Sequence, residues 1–221
     1  MKFRRLGWLI SVSLLLFLFR KWIKTPQLNT TNYKPIHEQN VLPIRRLWQR
    51  AAGVHHPNSA CGPTTGAMIV QYMMQQQNAE INTTDAVVSV QLINTLYKEI
   101  GTRPWGTSAR RWQKGMMRYF SKTCPEENLT VHLQRASGQY GTYCQSIDKG
   151  MPVVLRFTFN SSPQTFASHH YILGIGYSQK GDEEKVAVLD ADGGKLNNKI
   201  HWINWNDNER FIKILSINEE K

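Results

Sequence analysis

The hydrophobic period of this chain changes part-way along, and that change limits its fold more than any other feature. Between Cys61 and Phe120 apolar residues recur at helical spacing; beyond Leu129 they alternate or gather in short blocks. The first half predicts three helices. One runs over 61–77, with Gly62-Pro63 in its first turn and Ala67, Met68, Tyr72 and Gln75 at helical spacing. A second follows Thr84-Asp85, both good N-caps, and stops at Gly101. A third follows Thr107-Ser108 and carries Trp112, Met116 and Phe120 on one face. The second half predicts strands over 129–133, 153–157, 171–175, 186–189 and 211–214, and a short helix over 143–149 closed by Gly150. A turn at Lys180-Gly181-Asp182 makes an antiparallel hairpin of two of the strands. Helices first and strands second is an α+β domain, a helical half packed on an antiparallel sheet.

The 221 residues suffice for one such domain, expected over 41–221. Ahead of it lies an apolar run, Leu6 to Phe19, flanked by Lys2, Arg4 and Arg5 and by Arg20, Lys21 and Lys24. At ~1.5 Å per residue that run reaches ~21 Å, against a hydrocarbon core of ~30 Å. No small-x-small cleavage site follows it, and Trp8 and Trp22 stand near its ends as interface anchors. Residues 1–24 are therefore expected to be an uncleaved signal-anchor or, second, a signal peptide, with a polar linker over 25–40 and the domain outside the membrane. The net charge is +11, but the cations are scattered, with Arg45-Arg46 and Arg110-Arg111 only pairs. No nucleic-acid motif accompanies them, so the excess suits an anionic envelope and no nucleic-acid partner is expected.

The segment Ser59-Ala60-Cys61-Gly62-Pro63 sets a cysteine at a helix start. The positive end of the macrodipole favours thiolate there, and the thiolate is the nucleophile. The Cys61 N–H has no partner within its helix and is available to an oxyanion, and Gly62 permits close approach of a carbonyl. A base must come from elsewhere. His170 opens a predicted strand, and alternation points its neighbour His169 to the opposite face. A third group must orient the imidazole. Asp190 ends the strand paired with that of His170; Asp192 is the alternative, and either also suits an Asx turn into Gly193-Gly194. Three cysteines leave one free thiol, which allows Cys124 and Cys144 to pair while Cys61 stays reduced. His55-His56 lacks further ligands at metal spacing, so no metal is expected.

Cys-Gly-Pro-Thr-Thr, Gly101-Thr102, Gly106-Thr107-Ser108, Lys149-Gly150-Met151-Pro152, His170-Tyr171-Ile172-Leu173-Gly174 and Val188-Leu189-Asp190, in this order, resemble the papain-like cysteine peptidases of family thirty-nine. That family includes bacteriocin-processing peptidases that cleave after double glycine, and many stand-alone relatives. The resemblance implies a papain-like fold from about Val41 onward. It puts the nucleophile at Cys61, the histidine at His170 and the aspartate at Asp190. An oxyanion glutamine is implied upstream of the cysteine, and Gln49 is the nearest. Unlike the transporter-fused processing enzymes, the chain has Ala60 before Cys61.

These readings converge on a cysteine peptidase that works through a thioester on a peptide or protein substrate near the outer membrane surface, without a cofactor. The alternative is a non-catalytic envelope peptide-binding module on the same fold. Neither the substrate sequence nor the oligomeric state is legible.

Overall fold

The computed structural model describes residues 37–76, 86–160, 162–163, 165–193 and 199–219. The expected signal-anchor over 1–24 and most of the linker lie outside them. Among the described residues no helix is long and apolar enough to cross a membrane.

The helical half holds α1 (Cys61–Gln76), α2 (Ala86–Ile100) and α3 (Ala109–Thr123). In α1 every residue from Gly62 through Met74 is buried. It is the central helix of the domain, enclosed on all sides, with Thr64, Thr65 and Gln71 buried alongside its apolar residues. Gly101 takes φ +67° and ends α2 as a left-handed cap. The Ser108 side chain accepts the Arg111 N–H and starts α3. Trp112, Met116 and Phe120 form the buried face of α3, as their spacing requires. Gly115 lets α3 press on α2: a Cβ there would stand 2.3 Å from the Ile100 Cα.

The sheet half holds β1 (Gln39–Val41), β2 (Leu129–Arg135), β3 (Val153–Phe157), β4 (Tyr171–Lys180), β5 (Glu183–Asp190), β6 (His201–Asn204) and β7 (Ile212–Glu219). Helix α4 (Tyr140–Asp148) links β2 to β3, and the single turn α5 (Trp205–Asn208) links β6 to β7. The order is β2-β7-β3-β4-β5-β6, and every pairing is antiparallel. β4 pairs with β3 up to Gly174; β1 then takes over, with Val41 opposite Gly176. Gly176 makes that possible, since a Cβ there would stand 2.4 Å from the Asn40 carbonyl. The sheet thus begins at Gln39, two residues before the expected domain start. α4 begins at Tyr140, three residues before its expected start, and β7 runs five residues past its own expected end.

Candidate active site

Two halves meet where helix α1 and strand β4 begin and strand β5 ends. Cys61 is the first residue of α1. Its N–H donates to no backbone carbonyl among the described residues, as the first turn of a helix allows. Trp112 Nε1–H donates to the Gly62 carbonyl at 2.9 Å and ties α3 to this turn. Gly62 itself lies against Trp112 and Tyr171. Its missing side chain therefore serves packing rather than the approach of a substrate.

His170 directly precedes β4, and its carbonyl accepts the Phe157 N–H at 2.8 Å. Asp190 is the last residue of β5, and the register sets it opposite Ile172. That pairing brings the carboxylate under the imidazole: His170 Nε2 and Asp190 Oδ1 are 2.7 Å apart. The Cys61 thiol lies close enough to the imidazole for each to shift the other's protonation. The electrostatics follow from these contacts. Burial pushes the Cys61 thiol up, but the hydrogen bond and charge of His170, with the N–H groups of Tyr171 and Gly62, bring it below its ordinary value. Burial pulls the His170 imidazole down; Asp190 and Cys61 outweigh it and raise it to about 10. Burial also raises the Asp190 carboxyl, and His170, the Asp192 N–H and Arg46 together bring it below the usual range. A thiolate–imidazolium pair is the state this arrangement favours.

Residues 35–214 match the Peptidase_C39 like family. The chain belongs to that family. Among solved structures it resembles the peptidase domain of Streptococcus ComA, described as a bi-functional ABC transporter involved in quorum sensing. There the identity is 12%, with 83% of this chain and 100% of that one covered, at a TM-score of 0.45. UfSP from C. elegans gives 13% identity over 90% of this chain and 37% of that one, at 0.53. Digestive procathepsin L 3 from the larval midgut of Tenebrio molitor gives 9% identity over 92% and 78%, at 0.51. A search of curated proteins finds no match. The fold is papain-like, helices packed on an antiparallel sheet. Membership of the Peptidase_C39 like family, with that fold, supports a cysteine-peptidase type of function on peptide substrates.

The remaining residues singled out by the sequence are placed as follows. Asp192 does not reach His170; it pairs with Arg50, whose Nη2 lies 3.0 Å from its Oδ2. Asp190 meets the imidazole and also forms the Asx turn, because its Oδ1 accepts the Asp192 N–H at 2.8 Å. His169 is not turned away by strand alternation, since both histidines precede β4. It adopts φ +50°, lies against Phe159 and lines the same cavity as Cys61. Gln49 is 2% exposed, and its Nε2 donates to the Pro57 carbonyl at 2.9 Å, in the loop before Cys61. His56 stacks on Tyr97 and His55 is exposed. Cys124 and Cys144 are both buried and free, so the disulfide that the cysteine count allows is not formed.

Arg46 is the residue that sequence reasoning missed. It reads as half of a surface Arg pair, yet it is 8% exposed. Its Nε donates to the Asp190 carbonyl and its Nη2 to that of Ala191. It fixes the end of β5 and with it the carboxylate. The one available signal was its place in the run Leu42, Ile44, Leu47, whose members are all buried.

Proposed function

We propose that the chain is a cysteine peptidase in which Cys61 is the nucleophile, His170 the general acid–base and Asp190 the group that orients the imidazole. The observation that carries this reading is the hydrogen bond that holds His170 on Asp190, beside a thiol that His170 itself draws below its ordinary pKa. The thiolate attacks the scissile carbonyl, and the oxyanion meets the Cys61 N–H and the second amide hydrogen of Gln49. The His170 imidazolium protonates the leaving amine, and a thioester remains. Water then attacks with its proton passing to His170; the carboxylic acid leaves and the ion pair is restored. Cys61→Ala and Cys61→Ser should both abolish turnover of a cleavable peptide while far-ultraviolet circular dichroism is retained. Appreciable cleavage by either variant would overturn the assignment.

The apolar segment of residues 6–19, basic on both flanks and without a cleavage site, supports anchoring with the domain at the outer membrane face. Protease added to intact cells should then degrade the domain. Degradation only after lysis would invert that orientation.

A further inference from the structure

The mechanism leaves unused the wall of the cleft that faces the thiol. A cavity of about 420 Å³ is lined by Cys61 and by three arginines, Arg103, Arg111 and Arg156, and no Asp or Glu lines it among the described residues. The three come from separate places: the loop before α3, the first turn of α3, and β3. Arg156 is half-buried, and its guanidinium lies 5.1 Å from the centre of the Tyr171 ring. Its Nε and Nη1 are out of solvent with no hydrogen-bond partner. Desolvating a cation without a carboxylate is costly, and stacking on the Tyr171 ring offsets only part of that cost. Arg111 gives one donor to the Gly101 carbonyl, and Arg103 lies over the exposed Trp105. A wider depression of about 890 Å³ shares Arg103, Ser108 and Arg111 with the first and adds Lys98, Arg110, Lys114 and Arg118, again with no acid. Arg110, Lys114 and Arg118 recur every fourth residue of α3, a like-charge repeat that weakens a helix. The cations that look scattered in sequence are gathered beside the thiol.

We propose that the substrate of Cys61 is an acidic polypeptide: one carboxylate enters the Cys61 cavity and is held by Arg156 with Arg103 and Arg111, and further carboxylates follow the basic face of α3. This rests on Cys61 being the nucleophile. Any polyanion would be drawn to the outer basic face. The arginines inside the cavity select a peptide, because neither a duplex nor a membrane surface fits 420 Å³. The carboxylate is either an acidic side chain or a chain terminus.

The test is site-resolved alkylation of the purified full-length chain by iodoacetate and by iodoacetamide, followed by mass spectrometry. Cys124 and Cys144, buried and with raised thiol pKa values, compete little. Relative to a free cysteine, Cys61 should prefer the anionic reagent by about tenfold at low salt, and the preference should fall as salt is added. Arg103→Gln and Arg111→Gln, at exposed positions, should each lower that ratio by about threefold, and Arg156→Gln by more. Arg50→Gln, the same loss of charge elsewhere, should leave it alone. In competition, an end-blocked Glu-rich peptide that protects Cys61 where its Gln counterpart does not supports a side-chain carboxylate. Protection by an uncharged peptide only when its C-terminus is free supports a terminal one. A Cys61 ratio equal to that of free cysteine, and unmoved by any of the arginine changes, overturns the acidic-substrate inference and leaves the nucleophile standing. Protection by duplex DNA or anionic vesicles, with none by acidic peptides, overturns it too. A Cys61 that reacts with neither reagent faster than a buried thiol overturns the nucleophile and, with it, this inference.

Discussion

Arg46 and Arg50 stand one helical turn apart in sequence and reach the same turn after β5, yet removing them should have unequal effects. Arg46 is buried, and its guanidinium satisfies the carbonyls of Asp190 and Ala191. Arg46→Ala leaves the Asp190 carbonyl without that donor, at ~1–3 kcal/mol, while the Ala191 carbonyl keeps the Gln49 N–H at 3.0 Å. Loss of the packed side-chain stem and relief of the desolvated cation act in opposite directions, so the net cost should be about 1–3 kcal/mol, a sizeable share of the ~5–15 kcal/mol of a typical domain. At ~2–4 °C per kcal/mol for a chain of this size, the midpoint of thermal unfolding should fall by about 2–12 °C. Arg50 pairs with Asp192 at the surface, where such a bond is worth ~0–1 kcal/mol, so Arg50→Ala should shift the midpoint by only a few degrees. Peptide cleavage by Arg46→Ala at a temperature where it is folded should also be slower, because Asp190 no longer sits on a fixed turn. Thermal melts followed by circular dichroism, with kcat/KM on one peptide, check both points. Equal losses for the two variants would refute the claim that burial separates them. A stable Arg46→Ala with full activity would refute the brace.

His170→Ala should be inactive, whereas His169→Ala should retain much of its kcat/KM, because it is His170 that meets Asp190 and draws the Cys61 thiol down; steady-state kinetics decide, and the reverse outcome would exchange their roles. The alkylation rate of Cys61 should rise with pH to a plateau whose midpoint lies below the ordinary thiol range, since His170 holds the thiol down. Cleavage should fall again as pH passes about 10, where the imidazolium proton is lost. His170→Ala should move the alkylation midpoint upward, because burial then acts on the thiol without its partner.

Much of this architecture can be read from residue order because the signals are local. Ser108 caps α3, Gly101 and Gly150 close helices, and Gly181-Asp182 turns β4 into β5, each through chemistry within a few residues. Cys61, His170 and Asp190 were legible for a related reason: a helix start and two strand ends are visible positions. The rest depends on partners distant in sequence. β1 is three residues in a polar stretch and exists only because Gly176 accepts it on β4. β6 and the turn α5 are too short to show a period. The choice between Asp190 and Asp192 turns on Arg50 and Arg46, whose contacts lie more than a hundred residues away in the chain. The basic face of α3 went unseen because Lys98, Arg103 and the α3 cations converge only once α2 and α3 pack together.

The way β1 completes β4 also governs where this domain can be cut. A fragment beginning at Val41, the boundary the sequence suggests, lacks Gln39 and Asn40, the partners of Ser178 and Tyr177. The far end of β4 would then present the unpaired N–H and C=O groups of Tyr177 and Ser178 along an open edge. Such an edge invites strand addition from a neighbouring copy. The outcome would be self-association of a fragment in which Cys61, His170 and Asp190 are all present. Two residues that contribute little to the core, Gln39 and Asn40, thus keep that edge closed.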